Sequence, residues 1–150
     1  MIAAPDNTPW KGRLMTDFEW NPDYAIGHFQ IDDEHRKLFR LARKMMNVSC
    51  VRASEKEIKA AVKALSDYTK IHFRNEERLM ESIGYPDLEK HRAAHAYIIE
   101  QISNFLAAEP SPVRQAKRLK EIISTWVDGH TTGEDLKIAR FIASRRGTNN

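Results

Sequence analysis

Two short stretches constrain this chain more than any others: His72-Phe73-Arg74-Asn75-Glu76 and His91-Arg92-Ala93-Ala94-His95. Four residues of α-helix turn about 400°, so the two metal-capable groups in each stretch point the same way, ~40° apart. Each pair also lies within apolar residues spaced by three or four. Ile58, Val62, Leu65, Tyr68, His72, Glu76, Leu79 and Ile83 form one seam; Leu88, His91, His95, Ile98, Ile102 and Phe105 form the next. Such spacing marks the inward face of an amphipathic helix. Groups able to bind a metal therefore stand where a helix ordinarily buries leucine.

The other elements follow in order. Asp32 or Asp33 can cap a first helix whose seam is His35, Leu38, Ala42 and Met45, with Phe39 and Met46 alongside. It should end between Asn47 and Val51. Ser54 and Glu57 have capping-box spacing and open the second helix, which Gly84-Tyr85-Pro86 stops. Asp87 can cap the third. After a loop over 107–112, Ser111 as cap and Pro112 at the first helical position open the fourth. Its seam is Ala116, Leu119, Ile123, Trp126 and His130, and a short C-terminal helix from Asp135 to Ala143 follows. Ahead of all these, residues 1–30 hold Pro5, Pro9, Pro22, Trp10, Phe18, Trp20, Tyr24, Ile26 and Phe29. They read as an aromatic-rich arm packed on the domain.

The expected fold is all-α: an up-down-up-down antiparallel four-helix bundle over 31–144, with the N-terminal arm before it and a polar tail over 145–150. Its 150 residues suffice for one domain with one core. Net charge is only +3, and the charges alternate in sign (Lys56-Glu57, Glu89-Lys90, Lys120-Glu121). No basic block argues for nucleic acid. The single cysteine, Cys50, excludes an internal disulfide and a thiolate-rich metal site. With no signal-peptide pattern and no apolar run of ~20 residues, a cytoplasmic protein without a membrane span is expected.

Five histidines (His35, His72, His91, His95, His130) and Glu76 occupy seam positions. Burying one unpaired polar group costs roughly 1–3 kcal/mol. Six in one seam would cancel a typical folding free energy of ~5–15 kcal/mol. They need a shared partner. Height along the bundle agrees. Glu76 and His72 lie 8 and 12 residues before Gly84, and His91 and His95 lie 7 and 11 after it. In an antiparallel pair these meet roughly 15 Å from the turn. His35 and His130 fall at the same level across their own turns. His28, the sixth histidine, is off the seam and reads as non-ligating.

Imidazole and carboxylate without thiolate suit iron, zinc, manganese or copper. Five histidines exceed one tetrahedral zinc. Together with two carboxylates they suit two octahedral metals. Two residues compete to be the second carboxylate. Glu134, at i+4 from His130, is slightly favoured by regular geometry. Asp135, at i+5, diverges by about 140° unless the helix ends, bends or bulges between them, where Thr131-Thr132 and Gly133 sit.

These residues resemble the hemerythrins, most closely the single-domain bacterial ones. The likeness runs from Trp20 to about Phe141. It includes Trp20, Ile31-Asp32-Asp33-Glu34-His35, His72-x3-Glu76, Met80 through Gly84-Tyr85-Pro86, His91-x3-His95, Trp126 and His130-x4-Asp135. The resemblance selects Asp135 over Glu134. It implies a non-haem di-iron centre: His91, His95 and His130 on one iron, His35 and His72 on the other, and Glu76 and Asp135 bridging both with an oxo or hydroxo group. The second iron would keep an open position, where dioxygen is reversibly reduced to hydroperoxide. Leu38, Phe39, Phe73 and Trp126 are candidates for the apolar wall of that pocket.

Two positions depart from the family. Thr131 and Thr132 follow His130, where an apolar residue is common, and Ile138 stands where tyrosine is common. A more polar mouth would hasten loss of bound peroxide. The function the resemblance implies is reversible dioxygen binding, for storage or delivery, by a monomer that is not an enzyme. An unidentified reductant or an oxygen-consuming enzyme is a possible partner. An oxygen or redox sensor, and a di-iron peroxidase or nitric-oxide-handling enzyme, are the alternatives.

Overall fold

The computed structural model describes residues 18–50, 54–108 and 112–148. Pro5, Pro9, Trp10 and Ser111, with the side chains of Cys50 and Ala116, lie outside the described residues. A 3₁₀ turn, Pro22–Tyr24, precedes helices α1 (Phe29–Cys50), α2 (Glu55–Ile83), α3 (Leu88–Ala107) and α4 (Pro112–Ser124). A π-helical segment, Thr125–Glu134, then runs without interruption into α5, Asp135–Gly147. The protein is an all-α four-helix bundle, its fourth rod built from α4, the π segment and α5. Consecutive rods pack side by side, and α4 closes the ring on α1. No helix among the described residues is long and apolar enough to cross a membrane.

Caps follow the local sequence with three exceptions. At α2 the box is complete: Ser54 Oγ accepts from the Glu57 N–H at 3.2 Å, and the Glu57 carboxylate accepts from the Ser54 N–H at 2.7 Å. Gly84 ends the helix in the left-handed conformation (φ 65°) that glycine adopts without a Cβ clash. Asp87 precedes α3 but makes no capping bond. Its backbone (φ −97°, ψ 23°) lies in the bridge region between helix and strand, whereas a capping side chain needs an extended one.

The second exception is α1, which begins at Phe29, ahead of both aspartates. His28 does the capping. Its Nδ1 accepts from the Ile31 N–H at 3.4 Å, and its carbonyl accepts from Asp32 N–H at 2.9 Å. Asp32 reaches backward instead, its carboxylate taking the N–H groups of Ile26 (2.7 Å) and Gly27 (3.2 Å). That clasp turns the chain into α1. The third exception is the C-terminus, where the helix continues through Arg145 and Arg146 to Gly147. Both arginines donate across the fold, to the carbonyls of Ile83 and Gly27.

From the arm, Phe18 and Ile26 are buried, and Trp20 and Tyr24 pack on the core. Phe29 does not pack. As the first residue of α1 it points to solvent and is 86% exposed. The core falls into two apolar clusters. The larger contains Leu38, Phe39, Phe73, Ile98, Phe105, Ile123 and Trp126; the smaller contains Ile26, Ile31, Met80, Tyr85 and Ile138. Most metal-capable residues fall between them along the rods: His35 between Ile31 and Leu38, Glu76 between Phe73 and Met80, His130 and Asp135 between Trp126 and Ile138; His72 sits beside Phe73 at the edge of the larger cluster. The bundle is thus two dry layers enclosing one polar layer.

Asp32→Ala would leave two N–H groups of the clasp without their acceptor, so it should destabilise the protein by about 3 kcal/mol. The exposed Asp33→Ala should change stability by less than ~0.5 kcal/mol. Urea denaturation of both variants checks this, and equal effects would contradict the clasp.

Candidate metal centre

The sequence leaves open how His130 and the following carboxylate share a face, and the π segment answers it. In a π turn the chain bonds i to i+5, so the turn widens by one residue. The Asp135 N–H donates to the His130 carbonyl, closing such a turn. Residues five apart then stack on one side. Asp135 is fully buried, and one of its oxygens lies 3.0 Å from His130 Nε2. Glu134 is turned outward and pairs with Lys137 Nζ at 2.9 Å. Gly129 and Gly133, with little helix preference, lie inside the segment that bulges.

All seven residues singled out in the sequence converge in two groups of donor atoms, each group lying within 4.8 Å. One holds His91, His95, His130, Glu76 and Asp135. The other holds His35, His72, Glu76 and Asp135. The two carboxylates belong to both. The rings follow the same division: His35 and His72 are 4.6 Å apart, and His91, His95 and His130 lie 4.6–4.8 Å from one another.

Buried polar atoms in proteins almost always have hydrogen-bond partners. Here His35 Nδ1 and Nε2, Glu76 Oε1, His91 Nε2, His130 Nε2 and both Asp135 oxygens have none. They approach one another closely, for example His35 Nε2 to Asp135 Oδ2 at 3.2 Å and His91 Nε2 to Asp135 Oδ1 at 3.1 Å, without forming hydrogen bonds. Donor atoms converging in this way would be satisfied by a bound cation. The donor set, nitrogen and oxygen with no sulfur, fits iron.

Charge within the cage points the same way. Burial opposes ionisation of Asp135 and Glu76. The surrounding imidazoles outweigh it for both, holding Asp135 and Glu76 well below the ordinary carboxylate range. Conversely, burial would depress His91, but the close approach and negative charge of Asp135 and Glu76 raise it to about 9. His35 is raised against burial in the same way. For His72 burial prevails and its pKa is lowered. Protons thus hold part of the charge balance that metal ions would supply.

Two carboxylates outside the cluster were missed by the sequence reading. Glu34 holds His72 Nδ1 at 2.8 Å and is steadied by Asn75 and Gln30. Glu77 holds His95 Nδ1 at 2.7 Å. A carboxylate on Nδ1 fixes the proton there and turns the Nε2 lone pair inward. Both residues adjoin a seam residue in sequence, Glu34 before His35 and Glu77 after Glu76. That adjacency is the only signal available, because residues 100° off the seam usually face solvent.

The four apolar candidates are all buried. Phe73 lies flat on His95, with ring centres 3.8 Å apart and 6° between planes, and meets Trp126 edge-on at 6.3 Å. Leu38 and Phe39 lie one turn beyond His35 in the same cluster. Trp20, placed by the sequence in the arm and among the residues of the family resemblance, borders His35 at 6.2 Å. Thr131 is buried as well.

Comparison with known proteins gives a family match over residues 27–142, to the hemerythrin HHE cation binding domain. The chain is 32% identical to a bacteriohemerythrin of Clostridium acetobutylicum over 79% of its own length and 95% of the relative's. It is 29% identical to a bacteriohemerythrin of Campylobacter jejuni, over 74% and 84%. It is 28% identical to a myohemerythrin of Theromyzon tessulatum, over 80% and 89%.

Two outcomes are expected from this geometry. The His91 pKa is higher in the fold than the ordinary 6.5. Its proton therefore stabilises the metal-free protein fully below about pH 6.5, and that contribution is lost as pH rises through about 9. Melting temperature should fall across that window without iron and stay level with iron bound; a rise in the metal-free protein would contradict the assignment. Glu34→Ala and Glu77→Ala should each weaken iron binding by about 10–100-fold, read by competition with a chelator, while the helical circular dichroism is retained.

Proposed function

The chain belongs to the hemerythrin family, and from that premise we propose that it binds dioxygen reversibly, for storage or delivery, at a non-haem di-iron centre. The observation that carries this is the unequal division of donors. One group offers three imidazoles and the other two, while both share Glu76 and Asp135. His91, His95 and His130, with the shared carboxylates, would hold one iron, and His35 and His72, with the same carboxylates, would hold the other with one protein donor fewer, which would leave room for dioxygen there. When bound, the iron pair supplies the two electrons that dioxygen takes up and returns on release.

The chain's own residues set the conditions. Glu76 and Asp135, held ionised, belong to both donor groups and would hold both irons. Glu34 orients His72 in the group of two imidazoles, and Glu77 orients His95 in the group of three. Leu38, Phe39, Phe73 and Trp126 exclude water, so that charge formed on the ligand is not drained by solvent protons. Five neutral imidazoles with only two carboxylates stabilise high iron oxidation states less than a carboxylate-rich set would. That balance favours binding over oxidative chemistry. Thr131 is the polar exception in this wall.

The test is the visible spectrum of the iron-loaded protein, reduced without air, exposed to oxygen and then degassed. Colour that appears with oxygen and disappears without it is the expected result. Direct passage to a stable oxidised spectrum would replace reversible binding with redox sensing or peroxidase-type chemistry. Thr131→Val should prolong the oxygen-dependent colour several-fold, measured as its decay rate at fixed temperature; an unchanged rate would remove Thr131 from the pocket wall.

A further inference from the structure

A separate cavity of about 290 Å³ opens where the segment before α1 meets α2 and α5. Leu79 and Ile83 of α2 and Ile142 of α5 make its walls; Gly27, His28, Arg145 and Arg146 complete the lining. The hole is apolar and its cations come from one short stretch. Arg145 donates to the Ile83 carbonyl and covers the Phe141 ring at 5.3 Å. Arg146 donates to the Gly27 carbonyl at 3.4 Å. Each guanidinium has five N–H donors, and among the described residues each uses one in a hydrogen bond. Neither is paired with a carboxylate among the described residues. Among the described residues, then, two positive charges without a carboxylate partner stand beside an apolar space.

We propose that this cavity binds a medium-chain fatty carboxylate, its acyl chain against Leu79, Ile83 and Ile142 and its carboxylate on Arg145 and Arg146. The size matches: at ~30 Å³ per water-sized group, the space takes on the order of ten non-hydrogen atoms. The headgroup matches because a planar guanidinium fork pairs with a carboxylate through two parallel hydrogen bonds. The apolar walls demand the rest of the ligand, since a small anion such as acetate would leave them unfilled. A ligand seated here joins Gly27 and His28 to α2 and α5, the helices that carry His72, Glu76 and Asp135. The site is independent of any metal and of the oxygen-binding reading.

Isothermal titration of the full chain with sodium octanoate tests the proposal, on iron-free and iron-loaded protein alike. One octanoate per chain is expected, with a rise in melting temperature in both forms. Octan-1-ol should bind at least tenfold more weakly. The double variant Arg145→Glu/Arg146→Glu should lose at least tenfold in affinity. Arg40→Glu/Lys44→Glu, the same charge change on the exposed face of α1, should not. Ile142→Phe keeps both arginines and fills the hole, so it should abolish binding even if the charge-reversed protein folds poorly. The proposal is overturned by the absence of saturable heat, by equal affinity for octanol, or by equal loss in both charge variants. It is also overturned if the protein sediments with phosphatidylglycerol vesicles while ignoring octanoate, because the arginines would then be reading a bilayer surface.

Discussion

A carboxylate removed from water without a partner costs several kcal/mol, and this bundle removes two, Glu76 and Asp135, completely. Five imidazoles around them are the compensation, and no rod supplies enough of these alone. α1 brings His35, α2 brings His72 with Glu76, α3 brings His91 and His95, and the fourth rod brings His130 with Asp135. The polar layer therefore ties all four rods to one height, which apolar seams alone would leave free to slide. The two clusters above and below supply the hydrophobic driving force and keep the layer dry.

The same layer explains the irregular part of the structure. Ten residues of π-helix are a departure from the geometry a chain adopts by default. The departure lets one continuous rod present His130 and Asp135 together while both Trp126 and Ile138 stay buried in their clusters. A regular helix would have brought Glu134 to the site and turned Asp135 away. Function and local distortion thus coincide on one segment, and the smallest residues in it, Gly129 and Gly133, lie where the backbone must widen.

Much of this was legible in the sequence because helical periodicity is a strong signal in long amphipathic stretches. The rods, their seams, the α2 box and the Gly84 stop required only local rules. The height of the histidines also followed, since an antiparallel pair with a tight turn has one free parameter, the distance from the turn. The choice between Glu134 and Asp135 was not legible from geometry and came from the family resemblance. At the start of α1, several residues competed to end the same four N–H groups. His28 won that place, and Asp32 turned to the preceding loop.

By itself, the sequence determined the all-α architecture and which polar residues face inward, because both depend on spacing within one helix. How those residues divide, which the spacing left open and only the family resemblance implied, is decided by tertiary structure. The division into three and two imidazoles around shared carboxylates depends on the distances between rods, and no periodicity within a rod encodes them. The same is true of Glu34 and Glu77, which gain their partners from another helix, and of the cavity that Arg145 and Arg146 flank. Groups off the inward seam acquire a role only from what a neighbouring helix places opposite them.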